Sequence, residues 1–218
     1  MTAELRQIIE GILLAFAALF PIVNPLGGAP IFLSMTSEYT PEERASLAWR
    51  VTVNSFILLV ASLAVGTYVL EFFGLSVPVV QVAGGLMVST IGWHLLQDPT
   101  SYDKPSTVSA RPRRNLAFYP LTLPLTVGPG SISVAITIGA FHPDSVRSLV
   151  TTSSAILIGV TLVAASIYIA YRYADQLSRM IGETGMAVLL RLSAFILLCI
   201  GVQIFWNGAS ALLRTLPG

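Results

Sequence analysis

Two short stretches hold the residue types that can grip a ligand without ionised side chains: Asn24, Pro25, Gly27 and Gly28 in NPLGG, and Thr126, Gly128, Pro129, Gly130 and Ser131 in TVGPGS. Their chemistry is recognition by freed backbone. A proline inside a helix costs roughly 3 kcal/mol and a glycine about 1 relative to alanine. Pro21, Pro25, Pro30, Pro120, Pro124 and Pro129 are therefore helix breakers for which a plain membrane anchor has no use. Past Pro25 and Pro129 a new helix is expected to start, because proline in the first helical position forfeits no bonded amide. Asn24 then reads as the cap of one helix and Gly128 as the residue in that place in the other. The amides of Gly27, Gly28, Gly130, Ser131 and Ile132 are expected to point back at the breaks, where helix starts carry partial positive charge and bind anionic groups. The plainer alternative is that both motifs only kink helices for close packing.

Covalent chemistry has little to work with. The sequence has no HExxH, no aspartate pair within an apolar stretch, and no evident histidine base for Ser210 in GASA, so the chain is not expected to be an enzyme. One cysteine, Cys199, allows no intrachain disulfide and no cysteine metal cluster, and no cofactor or metal is expected. A net charge of +1 lacks the concentrated basic face that nucleic acid requires.

The elements that must position the two stretches follow from charge distribution. The 218 residues are 54% hydrophobic and 11% charged, too little polar surface for a water-soluble globule. Every Asp, Glu, Lys and Arg lies outside six windows: Gly11 to Met35, Val51 to Leu70, Gly74 to Gln97, Asn115 to Phe141, Ser148 to Tyr171 and Leu192 to Leu213. About 20 helical residues cross a roughly 30 Å hydrocarbon core. The expected fold is an all-α membrane protein of six transmembrane helices, with the lipid bilayer as its first partner. The start MTAELRQIIEG lacks the basic region of a signal peptide, so the first span is expected to be retained.

The first, third and fifth loops carry Arg44, Arg50, Lys104, Arg111, Arg113, Arg114, Arg172 and Arg179, against Arg6, Arg147 and Arg214 elsewhere. By the positive-inside rule the first set faces the cytoplasm and both termini lie outside. Arg191 can snorkel to the cytoplasmic face.

The two interrupted windows are the first and the fourth. The second and fifth share NSFIL (54–58) and SSAIL (153–157), and the third and sixth share Ile91-Gly92 and Ile200-Gly201. This points to a duplicated three-helix unit: residues 1–97, a polar cytoplasmic loop 98–114, and residues 115–218, in one multi-pass domain. Because three is odd, the second copy inserts upside down. Inverted repeats with matching broken helices are the pattern of many secondary transporters, with substrate held where the breaks meet. Irregular backbone at that depth must face protein or a wet cavity. The class that competes is a membrane scaffold or assembly subunit without transport activity.

NPLGGAPIF in the first window and PLTLPLTVGPGSI in the fourth resemble the paired signatures of the MarC family of six-span bacterial membrane proteins, a branch of the LysE-type transporter superfamily. The resemblance implies a multi-pass protein of the cell (inner) membrane that moves small neutral amino acids such as alanine or glycine. By motif it carries over to Asn24, Pro25, Gly27, Gly128, Pro129 and Gly130.

Among the other polar residues, Asn54, Ser55, Ser153 and Ser154 occupy matched repeat positions and could line a path; bonds between helices are the alternative. Gln81, Gln203 and Asn207 read as interhelical bonds, Gly84 and Gly85 as close packing, and His94 as a hydrogen-bonded interfacial residue. Trp49, Trp93, Trp206 and several tyrosines fit interfacial anchors. A homo-oligomer is left open as a further partner.

Overall fold

The computed structural model describes residues 3–97, 116–140 and 146–214. These form helices throughout, without a strand among the described residues: α1 (Ala3–Val23), α2 (Pro25–Met35), α3 (Pro41–Phe72), α4 (Val77–Gln97), a wide π-type helical segment with two extended residues, the irregular coil (Ala117–Thr126), α5 (Pro129–Gly139), α6 (Val146–Arg172) and α7 (Ala174–Leu213). The expected connecting segment 98–114 falls outside the described residues.

Helix ends follow local chemistry. Thr40 and Glu43 make a reciprocal capping box with Pro41 in the first position, which starts α3 well before its apolar window. At the other end Leu75 N donates to Leu70 O (2.8 Å) and Gly74 N to Glu71 O (3.0 Å), with Gly74 at φ 66°. That is a Schellman stop, and it needs a residue free to adopt positive φ. α7 begins at Ala174, long before the expected Leu192, and turns at Gly182, where φ is 72°.

Among the described residues, five stretches are long and apolar enough to cross a membrane: Leu5–Met35, Pro41–Phe72, Val77–Gln97, Ser148–Arg172 and Thr184–Leu213. The count reaches six when Ala117–Thr126 and Pro129–Gly139, whose axes differ by 71°, are taken as one bent span. α4 and α7 pack antiparallel, since Gly208 lies against Gln81, Gly85 against Gly201, and Gly92 against Ala194. A side chain at Gly92 would strike Leu198 N at 2.6 Å and Ala194 O at 2.9 Å, so backbone meets backbone there. α1 and α6 run parallel: Gln7 Nε2 donates to Ser148 Oγ (2.7 Å), and Gly11 faces Ala155.

The interior centres on Leu19, Phe32, Leu59, Leu121, Val160 and Ile167, all fully buried. Large apolar residues such as Leu13, Ile57, Val65, Leu162, Val188 and Val202 are exposed, as expected of surface that faces lipid rather than water.

Candidate functional site

One residue divides α1 from α2. Asn24 has φ 47° and ψ 59°, the one positive-φ residue other than glycine among those described. Asparagine tolerates this left-handed region better than most side chains. Its amide still donates to Phe20 O (2.9 Å), closing α1, while its carbonyl accepts from Gly28 N (2.9 Å) and its Oδ1 from Gly27 N (3.1 Å), opening α2. The expected cap is present. The expected role of the glycine amides changes, because both are bonded to Asn24 itself. With Oδ1 turned to Gly27, the Nδ2 group is the donor that remains.

The second interruption takes ten residues. Tyr119 and Leu123, each followed by proline, are extended, as crowding by the proline ring favours. Around them the hydrogen bonds widen to a five-residue reach. Val127 N donates to Thr122 O (2.8 Å), Thr122 Oγ1 to Ala117 O (2.7 Å) and Thr126 Oγ1 to Leu121 O (2.7 Å). α5 then starts at Pro129, with Gly128 in the cap position and Ile132 N bonded to Gly128 O (3.1 Å). Ser131 Oγ donates to the same carbonyl (2.9 Å). The amides of Gly130 and Ser131 have no partner among the described residues.

The two interruptions meet at one cavity of about 60 Å³. Asn24, Gly27 and Gly28 line it from one side, and Thr126, Gly128, Gly130 and Ser131 from the other. Pro25 and Pro129 fix the helix starts without lining it. The remaining wall is apolar, with Val88, Ile91 and Leu95 from α4 and Leu197 from α7. No ionisable side chain lines it. About 10–15 Å³ of such space holds one water, so the cavity suits a solute of a few heavy atoms. Free donors therefore converge from the α5 start and from the Asn24 side-chain amide in a place without a compensating charge, an arrangement that favours a small anionic or zwitterionic group.

A second, wider cavity of about 730 Å³ lies toward the face where α1 starts and α7 ends. Gln7, Glu10, Gln81, Thr137 and Asn207 give it polar patches, and Ile22 lines both cavities. On the opposite side Ile31, Leu95, Leu190 and Leu197 pack into a buried apolar cluster.

Other expected residues are placed elsewhere. Asn54, Ser55, Ser153 and Ser154 line neither cavity. Ser55 is buried in α3 with no hydrogen-bond partner for its hydroxyl among the described residues; Asn54 is half-buried beside it. Ser153 and Ser154 are exposed on α6, and Ser154 Oγ bonds to Thr151 O (2.9 Å). Gln81 does bridge helices, with Nε2 donating to Thr137 Oγ1 (3.2 Å). Gln203 instead bonds Asn207 one turn along α7 (2.9 Å), because both are exposed on the same helix face. His94 is exposed on α4.

Tyr171 is an exception to the reading of several tyrosines as interfacial anchors. It is 1% exposed, stacks on Phe32 at 4.6 Å, and holds its hydroxyl 2.8 Å from Thr126 Oγ1. Nothing in its local sequence marks it, since its neighbours in space come from α2 and the irregular coil.

A model of the MarC family of integral membrane proteins matches residues 9–213. The inner membrane protein MarC of Escherichia coli strain K12 / DH10B is 29% identical over 221 residues, covering 96% of this chain and 98% of the relative. Those of Salmonella arizonae and Salmonella paratyphi B are 29% and 28% identical over 224 residues, covering 97% of this chain and 99% of each relative. No solved structure matches the chain.

Proposed function

The chain belongs to the MarC family of integral membrane proteins, and from that premise we propose that it is a secondary transporter of small neutral amino acids, of the alanine and glycine class, in the inner membrane. The observation that carries the reading is the uncharged cavity that both interruptions line. A zwitterion needs its carboxylate met by donors and its ammonium by acceptors. The Gly130 and Ser131 amides and Asn24 Nδ2 supply the first, and Thr126 with the backbone carbonyls of the irregular coil supplies the second. A charged side chain on the ligand would lack a partner at a cost of at least about 2.5–3.5 kcal/mol. The wide cavity and the apolar cluster opposite it suit a path open on one side and closed on the other.

The halves are read as inverted repeats whose first and fourth spans are broken. Packing supports this. Gly92 stands against Ala194 and Leu198. Shifted by the offset from Ile91 to Ile200, that pair becomes Gly201 against Gly85 and Ser89, and these are the residues that Gly201 meets. The arginine distribution supports both termini outside the cytoplasm. Single cysteines at Ser106 and Gly218 test that: Gly218 labelled only from the cytoplasm reverses the orientation.

The deciding experiment is flux into proteoliposomes holding the purified chain. Labelled alanine or glycine is expected to move and unlabelled lysine or glutamate to compete poorly. Absence of flux from folded protein, or preference for a charged amino acid, overturns the proposal and leaves a membrane scaffold or assembly subunit as the reading.

A further inference from the structure

Thr126 sits at the junction of the cavity and the interior, 2% exposed, with its hydroxyl in two hydrogen bonds. A hydroxyl has one proton and two lone pairs. Leu121 O can only accept, so the Thr126 proton is committed to it at 2.7 Å. The 2.8 Å contact to Tyr171 must then run the other way, with the tyrosine donating and Thr126 Oγ1 accepting. What Thr126 retains is one lone pair and no proton. Toward a ligand it can accept and cannot donate.

The tyrosine is held firmly enough to enforce this. Its ring stacks on Phe32 with an interplanar angle of 14°, and its hydroxyl fits against α2 only because residue 28 is glycine. A Cβ at Gly28 would stand 2.6 Å from the tyrosine oxygen. One side chain on α6 thus ties α2, just past the first interruption, to the last residue of the irregular coil before the second helix start.

Resting on the transporter reading, we infer that Tyr171 is a positioning residue that fixes Thr126 as an acceptor-only contact, so that the ligand's ammonium lies at Thr126 and its carboxylate at Asn24 Nδ2 and the Gly130 and Ser131 amides. The site thereby selects an α-amino acid over a carboxylic acid of the same size. Ser131 Oγ also has its proton on a carbonyl, but a single bond holds it, so it adapts where Thr126 does not.

The test is equilibrium binding of alanine, lactate and propionate to the purified full chain. Loss of a hydrogen bond to a charged group is worth roughly a tenfold change or more in affinity. Thr126→Val is expected to cut the preference for alanine over propionate by about that factor, and Thr126→Ser to restore it. Tyr171→Phe, which keeps the ring stack, is expected to cut the same ratio by about threefold or more, with lactate gaining on alanine as the freed hydroxyl turns. The double variant should match Thr126→Val alone. A purely structural role for Tyr171 would weaken all three ligands alike and leave the ratio intact, which overturns the inference while alanine binding stands. A wild-type chain that binds no alanine overturns the transporter reading and the inference together.

Discussion

The interruption at Asn24 and the one between Ala117 and Gly128 solve the same problem with different amounts of chain. At the first, one left-handed asparagine both stops α1 and caps α2, and the stretch Leu5–Met35 remains a single 31-residue apolar run. At the second, ten residues widen into five-residue hydrogen bonding and the axis swings by 71°. The first interruption consumes its own donors: Gly27 and Gly28 bond back to Asn24. The second leaves the Gly130 and Ser131 amides free among the described residues but fills the Ala117 and Leu121 carbonyls with threonine hydroxyls. The pair is therefore chemically unequal. Backbone donors come mainly from the α5 side, and Asn24 adds a side-chain amide from the α2 side.

The largest expected effect comes from filling the α5 side. A Cβ at Gly130 would run into the Val88 side chain, and a leucine there would occupy the cavity itself. Gly130→Leu should abolish alanine binding, a loss above about 100-fold, with the overpacking adding roughly 1–3 kcal/mol of destabilisation. Gly130→Ala combined with Val88→Ala should recover both binding and thermal stability, because the clash is with a side chain and not with backbone. If Gly130→Leu bound alanine normally, the donors would lie elsewhere.

Breaking the α2 side separates two roles of one residue. Asn24→Ala should lose a cap worth about 1 kcal/mol and force alanine into the left-handed region at about 1–2 kcal/mol. Asn24→Gly should cost only a few tenths of a kcal/mol, since glycine adopts positive φ freely. Both lack Nδ2, so both should bind alanine about tenfold more weakly by calorimetry. Unequal melting with equal affinity loss is the expected signature; an intact affinity in Asn24→Gly would confine Asn24 to backbone geometry.

A smaller effect tests the coil. Thr122 is fully buried, does not line the cavity, and donates to Ala117 O. Thr122→Val should lower stability by about 1 kcal/mol, and up to about 3 if the carbonyl is left unpaired, with alanine affinity unchanged. Smallest of all is the dependence on acidity. With no titratable group at the cavity, alanine affinity should stay flat between about pH 6 and 8, the range in which a histidine would change charge. A tenfold slope across it would place a proton carrier on the path.

Much of this was legible in the sequence. The helix starts at Pro25 and Pro129 and the cap at Asn24 follow from local rules, since each depends on residues within one turn. Composition likewise dictated a helical membrane protein, because hydrocarbon leaves a spanning backbone few ways to satisfy its polar groups. The extent of the irregular coil was only half legible. The prolines at 120 and 124 announced a break, but the i to i−5 bonds of Thr122 and Thr126 depend on how the freed carbonyls were rescued. The polar residues at matched repeat positions misled: Ser153 and Ser154 face outward, because pattern similarity places a residue on a helix without saying which way that helix is turned.

By itself, then, the sequence determined where backbone would be freed and that no charge would stand near it. Only the tertiary structure decided which freed groups stay free. Tyr171 and Thr126 are 45 residues apart and Gly130 meets Val88 across two helices. Contacts of that range are set by the packing of whole helices against one another, and that packing turns two breaks into one cavity with donors and an acceptor at defined places.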